Sequence, residues 1–433
     1  MRPDTWGRLR VARCFALLAF LVPARAAAQH PLASDATRET SSIRPGPEFF
    51  LGGTLDLAYP FGEKGSPEVN QLIRGDSPFD NLRLRLFADV VLSDRFTLFN
   101  QFLIDPTTRL NIATFLRSYL RFTVFKGPHA DLHIQGGKIP TPFGAYSPRA
   151  YSDQNPLVSF PLLYHYFTTL RSNELPADNA DLLAHRGQGL VDLFTGFKGG
   201  RAGRNAFNGI PLVYDPCWDV GVGAIGSVWR FEYTAAVSQG TLSTPQMSGG
   251  DNNRGKSVAF RLGFVPVTGV VMGGSYSRGP YLDEGLASYL SSGRAVEDFD
   301  QEIYGVDLEY GVGHLSLHGE WATSRWTSPN VTDGRGGLAN LDSGAWYVEA
   351  KYTLRPGLFA AARYDHLTFG RIDDGTGGGR TVTWDDGIRT LEFGLGYSLA
   401  DRVVAKVIRQ ADQVDVPGRE RKGFWAVQVS ATF

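Results

Sequence analysis

The 433-residue chain holds 43 basic and 44 acidic side chains, of which the first 28 residues carry five and one, leaving 38 against 43 over the remainder. Charge this mild and this dispersed excludes a nucleic-acid binder. A slightly negative mean hydropathy, with no run of eighteen apolar residues after the N-terminus, excludes helical membrane spans.

Arg2, Arg8, Arg10 and Arg13 precede an apolar run from Cys14 to Val22, then Pro23 and the small-residue run Ala26, Ala27, Ala28. This order predicts a cleaved signal peptide over 1–28, with the apolar run about half the length of a membrane-spanning helix. Cys14 leaves with it, so Cys217 is the only thiol of the mature chain and no intrachain disulfide is expected. Residues 29–48 are polar and hold three prolines, which predicts a short periplasmic lead.

From Phe49 the chain alternates apolar and polar residues, the period of a half-buried strand. Sixteen strands are expected near 49–59, 82–92, 95–104, 114–125, 130–139, 218–227, 229–239, 257–265, 269–278, 302–311, 313–323, 345–354, 357–366, 388–398, 402–410 and 424–433. Most are of the nine to eleven residues that a tilted strand needs to cross a bilayer. Short links (93–94, 126–129, 226–228, 266–268, 311–312, 355–356, 400–401) take turns with long ones (60–81, 105–113, 140–217, 240–256, 279–301, 324–344, 367–387, 411–423). That rhythm predicts an all-β fold, a transmembrane antiparallel up-and-down β-barrel over 49–433 with tight turns at one end and long loops at the other.

One parity of these strands is apolar: Leu82, Leu84 and Leu86; Leu116, Leu120 and Phe122; Trp229, Phe231 and Tyr233; Leu391, Phe393 and Leu395. The other carries Arg83, Arg85, Arg117, Arg121, Arg230 and Glu392. Backbone groups in hydrocarbon must all be paired, so such a sheet has to close, with the charged parity facing a lumen wide enough to hold water. Tyr59, Trp346, Tyr352, Tyr364 and Tyr397 stand at strand ends, where interfacial girdles form.

The pore-lining candidates divide by sign. Arg83, Arg85, Arg117, Arg121, Lys138 and Arg230 come early, and Asp307, Glu309, Glu320 and Glu349 later. Opposed charges across water set up a transverse field, which suits a mildly selective pore better than a one-sign filter. The 78-residue connection 140–217 is too long for a passive link. Within it, Pro176, Asp178 and the stretch to Arg186 and Gly187 predict a short helix.

Gly137, Lys138, Pro142, Phe143 and Gly144 form a G-K-x-x-x-P-F-G phrase after an R-S-Y-L-R-F strand, which resembles the phosphate-selective porin superfamily of Gram-negative outer membranes. The last ten residues, F-W-A-V-Q-V-S-A-T-F, resemble the closing strand of outer-membrane barrels, with Trp425 and the terminal Phe433 on the apolar parity. The resemblance implies a homotrimeric channel that passes small anions, embedded in outer-membrane lipid by the assembly machinery of that membrane. It also implies that 140–217, the third outer loop, folds into the barrel and narrows it.

Other signals point elsewhere. Gly250 to Ser257 reads as a phosphate-binding loop, but an alternating strand follows instead of the helix that such a loop requires. Ser316, His318 and Glu320 share one strand face, about 7 Å apart in steps of two, which is long for a hydrolytic relay. Asp373, Asp374, Asp385 and Asp386 flank a Gly-rich loop at 375–379 and lack the spacing of a Ca²⁺ loop. The expectation is an outer-membrane porin without catalysis, cofactor or metal. The alternatives are a barrel hydrolase and an adhesion or receptor barrel that uses its long loops.

Overall fold

The computed structural model describes residues 47–61, 81–105, 113–190, 196–197, 209–215, 217–246 and 250–433. The expected signal peptide and nearly all of the expected lead lie outside the described residues. Among the described residues eighteen strands are present. The first nine are β1 (Glu48–Phe61), β2 (Leu82–Val91), β3 (Phe96–Ile104), β4 (Ala113–Lys126), β5 (Ala130–Pro140), β6 (Trp218–Val228), β7 (Phe231–Ser238), β8 (Ser257–Phe264) and β9 (Val270–Pro280). They are followed by β10 (Asp300–Val312), β11 (Leu315–Thr332), β12 (Leu338–Arg355), β13 (Leu358–Phe369), β14 (Arg371–Asp373), β15 (Thr381–Thr383), β16 (Ile388–Ala400), β17 (Val403–Val414) and β18 (Lys422–Thr432).

Sixteen of them close into one antiparallel barrel, each beside its neighbour in sequence. The other two, β14 and β15, pair as a hairpin in the connection after β13. The seam joins β1 to β18, from Thr54 opposite Thr432 to Phe61 opposite Trp425. Phe433 completes it: its N–H donates to Gly53 O (3.0 Å) and its carbonyl accepts from Gly53 N–H (2.9 Å). The barrel itself is left with no edge strand, as hydrocarbon demands.

Alternation sorts the side chains as the parity predicts. Leu86, Leu120, Phe260, Leu262, Val306, Leu308, Val348 and Phe393 are exposed on the outer face, whereas Arg83, Arg85, Asp307, Glu349 and Glu392 are buried on the inner one. Trp321, Trp346, Tyr352, Tyr397 and Trp425 are exposed outward.

Three local features depart from the sequence reading. In the β3–β4 ladder Gln101 faces Arg117 and Phe102 faces Phe115, so Leu116 is the extra residue of a β-bulge. The bulge flips the parity, turning Leu116 inward at 3% exposure and leaving Phe115 outward at 59%. Between β6 and β7 the turn lies at Trp229 and Arg230, with Val228 opposite Phe231, rather than at 226–228. Trp229 takes φ 55°, the left-handed conformation that matches a two-residue turn to the twist of its strands. Finally, the long link expected at 324–344 is mostly strand. β11 and β12 each run for 18 residues, in register from Leu315 opposite Tyr352 to Thr327 opposite Asn340 before the ladder shifts near Thr332.

The lumen, expected to hold water, is packed over much of its loop end. Inward apolar residues of the wall, such as Ile303, Trp326, Leu341, Leu367 and Ile388, join Tyr146, Leu163, Tyr164 and Leu170 of the 141–217 connection in one core. Alternation alone cannot reveal this, because these positions share parity with charged residues nearer the turn end.

Candidate functional site

The inner face of the wall positions the candidate charges. On β2, Arg83 and Arg85 are two residues apart and so point the same way. Arg85 lies 3.4 Å from Asp56 of β1 and 4.8 Å over the Tyr151 ring. Among the described residues no carboxylate pairs with Arg83, whose guanidinium lies 6.0 Å from the Phe160 ring. Arg117 of β4 is 3.5 Å from Asp89 and sits among the rings of Phe87, Phe99 and Trp218. Arg121 covers the Phe99 ring at 4.8 Å, and Lys138 of β5 donates to Phe115 O.

Arg230 departs from this set. It is exposed in the two-residue turn and donates to Pro266 O, so its expected place on the pore wall is corrected to the rim of the turn end. The shifted turn is the cause, because it takes Arg230 out of the alternating ladder.

The acidic wall is organised by a residue that the sequence reading did not single out. Arg363 of β13 has a fully buried side chain and meets Asp365 at 3.0 Å, Glu349 at 3.3 Å and Glu392 at 2.8 Å. Both oxygens of each carboxylate are occupied. Glu349 accepts from Arg149 (2.9 Å) and Arg363; Asp365 from Leu162 N–H (3.2 Å) and Arg363. Glu392 accepts from Val158 and Ser159 N–H (3.0 and 3.1 Å), from the Ser159 hydroxyl and from Arg363. Glu320 accepts from Ala145 N–H (2.9 Å), Tyr347 OH (3.1 Å) and Tyr164 OH. Burial, and then the Glu320 charge, pushes the Tyr164 phenol well up, which keeps its proton as the donor. Asp307 is held by Nε and Nη2 of Arg261. Glu309 alone of the expected acids stays partly open, 3.7 Å from His318.

These contacts hold the connection after β5 against the wall. Lys406 of β17, buried, donates to the carbonyls of Ser152, Asn155 and Leu157 at 2.7–2.9 Å, and the Ser152 hydroxyl donates to Asp56. Arg149 reaches Glu349 on β12, while Tyr151 OH donates to Gln101 on β3 at 2.8 Å. Six strands separate β12 from β3 one way round the barrel and eight the other. Three consecutive residues, 149–151, therefore form a bar between nearly opposite walls. Further along, a short helix at Asn179–Ala184 is capped by Asp178, whose carboxylate accepts from Asp181 N–H at 2.8 Å.

Arg363, Asp365, Glu392, Lys406, Arg149 and Tyr151 were absent from the expected site. The parity signal for the first four was present in the strands, since Arg363 and Asp365 stand two apart on the inward face. Their partners, up to 254 residues away, were not readable.

The enzyme-like signals are not assembled. His318 faces Glu309 instead of Ser316, and Glu320 is occupied by Tyr164 and Tyr347. Lys256 is tied to Asp251 (2.7 Å), and the segment after it is β8, not a helix. Asp373 and Asp374 hold their own hairpin loop through Gly375 and Thr376 N–H, whereas Asp385 accepts from Thr169 and Gly187 N–H inside the core.

No protein-family model and no curated protein sequence matches the chain. Solved structures do. OmpF of Salmonella typhi in complex with daunomycin aligns over 90% of this chain and 98% of its own, at TM-score 0.50 and 12% identity. The anion-selective porin of Comamonas acidovorans aligns over 89% and 100%, at 0.50 and 10%. The outer-membrane channel DcaP of Acinetobacter baumannii aligns over 90% and 98%, at 0.50 and 12%. With its closed seam, apolar outer face and sixteen-strand order, the chain has the fold of the porins of Gram-negative outer membranes.

Proposed function

We propose that the chain is an outer-membrane channel for passive passage of small hydrophilic solutes, favouring anions such as phosphate. The observation that supports this is an asymmetry in hydrogen-bonding capacity. The carboxylates of Asp307, Glu320, Glu349, Asp365 and Glu392 have both oxygens occupied by protein donors. On the basic side, Nε of Arg85 and Arg117, Nε2 of Gln101 and Nε1 of Trp218 have no acceptor among the described residues. Arg83 pairs with no carboxylate among the described residues. The transverse field expected from opposed walls is thereby weakened on its acidic side, where Glu309 alone of the expected acids stays partly open. Buried donors without partners are costly unless water or a ligand oxygen serves them, so the basic side favours anions.

In this reading Arg83, Arg85, Arg117, Arg121 and Lys138 line the path, and the connection 140–217 narrows it. A leader over 1–28 directs export, and three copies assemble. Planar-bilayer recording in a salt gradient tests the reading. Neutralising Arg83, Arg85, Arg117 and Arg121 together moves the reversal potential toward cations. An unchanged potential refutes the anion preference. The packed core at the loop end favours a second reading, a receptor barrel closed by its own loops. Absence of single-channel current from folded protein supports that one instead.

A further inference from the structure

β2 and β3 pair from Leu84 opposite Ile104 to Phe87 opposite Gln101, and again from Val90 opposite Leu98. Between these stretches side chains carry the bonds. Asn100 N–H donates to Asp89 Oδ1 (3.2 Å) and Asn100 Nδ2 to Ala88 O (3.1 Å), while the Ser118 hydroxyl of β4 donates to Asn100 Oδ1 (2.9 Å). β4 carries its bulge at Leu116 beside Gln101 and Phe102. On the outer face over this lapse lies a groove of about 570 Å³, the size of an ordinary small-ligand site. Its lining is apolar, from Leu51, Leu86 and Ala88 to Phe102, Phe115 and Phe433, apart from Asn100. On the inner face at the same place Phe87, Gln101 and Arg117 stand opposite one another on β2, β3 and β4, and Arg117 lies 5.8 Å from the Trp218 ring of β6. Gln101, Arg117 and Trp218 are 0%, 1% and 5% exposed, yet Nε2, Nε and Nε1 respectively have no acceptor among the described residues. Asp89 answers Arg117 at 3.5 Å, and Arg121, 4.8 Å from the Phe99 ring, adds a second positive charge. Phe87 belongs to both faces: it lies in the lining of the groove, and its ring is 5.7 Å from the Arg117 guanidinium.

We propose that this place binds a long-chain fatty carboxylate through the wall, with the alkyl tail in the outer groove and the carboxylate on Gln101, Arg117 and Trp218. The inference rests on the anion reading above for its polar half alone. The groove faces hydrocarbon, so a tail enters it without meeting water. A carboxylate supplies the acceptor that three buried donors lack, and its bonds to a guanidinium are charge-assisted. Neither half by itself names this ligand, because the groove takes any alkyl chain and the donors take any small anion. Their meeting at Phe87, where the ladder lapses and only side chains bridge β2 to β3, asks for both on one molecule.

The test is equilibrium binding of radiolabelled oleate to the full-length protein in neutral detergent, beside oleyl alcohol, which has the same tail without the charge. Wild type is expected to hold oleate about tenfold more tightly than the alcohol, as one hydrogen bond to a charged group provides. Ala88→Phe fills the groove from outside, so it abolishes binding of both and leaves single-channel conductance as in wild type. Trp218→Phe removes the Nε1 donor, weakening oleate about tenfold and leaving the alcohol unchanged. Equal affinity for oleate and the alcohol, wild-type oleate binding by Ala88→Phe, or no binding by wild type overturns the inference, and a recorded current then keeps the channel reading. A change of oligomeric mass in Ala88→Phe without loss of oleate makes the groove a contact between copies and also overturns it. Folded protein that binds oleate as expected but passes no current removes the channel reading and supports this one. Mobility on unheated gels checks the folding of each variant. Should Ala88→Phe fail to fold, Trp218→Phe decides: oleate held as tightly as by wild type overturns the proposal.

Discussion

Replacing Arg363 with Met probes the ion network that ties the inner segment to the barrel. Three cations, Arg149, Arg363 and Lys406, face three anions, Glu349, Asp365 and Glu392, with the Arg363 side chain fully buried. Removing one partner of a buried pair costs about 3–5 kcal/mol, because the charge left behind stays desolvated. Here one guanidinium serves three carboxylates and the Ser159 hydroxyl, so the loss is expected near the upper end, about 5 kcal/mol. Urea unfolding of the protein refolded in detergent measures it through the fluorescence of Trp326 and Trp384, both fully buried in the loop-end core. If uncompensated charge is the cause, adding Glu392→Gln to Arg363→Met recovers about 1–2 kcal/mol, since the amide oxygen still accepts from Val158 and Ser159. Arg363→Met within about 1 kcal/mol of wild type, or a second substitution that adds a full loss of its own, refutes the reasoning.

Removing the bar with Arg149→Ala and Tyr151→Ala raises single-channel conductance and admits larger sugars in liposome swelling. The lost packing of Tyr151 costs about 3–5 kcal/mol of stability. Lys406→Met leaves the carbonyls of Ser152, Asn155 and Leu157 without their donor, at about 1–3 kcal/mol each, and exposes 150–160 to protease in the folded protein. Gly53→Val blocks seam closure. A Cβ there stands 2.5 Å from Cζ of Phe433 and 2.6 Å from Arg85 O, so the heat-modifiable folded band is lost.

Much of the architecture is local and therefore readable along the chain. Side-chain period two assigns each strand an inner and an outer face, and the alternation of short and long links orders the strands round the barrel. Phe433 completes the seam through its backbone pairing with Gly53, since an unpaired strand is not tolerated in hydrocarbon. Reading failed where a single backbone event shifted the phase. The bulge at Leu116 and the turn at Trp229 and Arg230 each moved a residue out of its expected place, and nothing in composition announces either.

The site was legible only in part. Parity placed Arg83, Glu320 and Glu349 inside, but could not say which charges remain available. That depends on where the 141–217 connection lies, since its N–H groups and hydroxyls occupy Glu392, Asp365 and Glu320 from positions more than 150 residues distant in sequence. Alternation, turn chemistry and the closing aromatic settle a barrel from residues near one another, because backbone pairing in lipid permits no open edge. The filled loop end and the bar at 149–151 arise from long-range packing, and their energies exist only once opposite walls have come together.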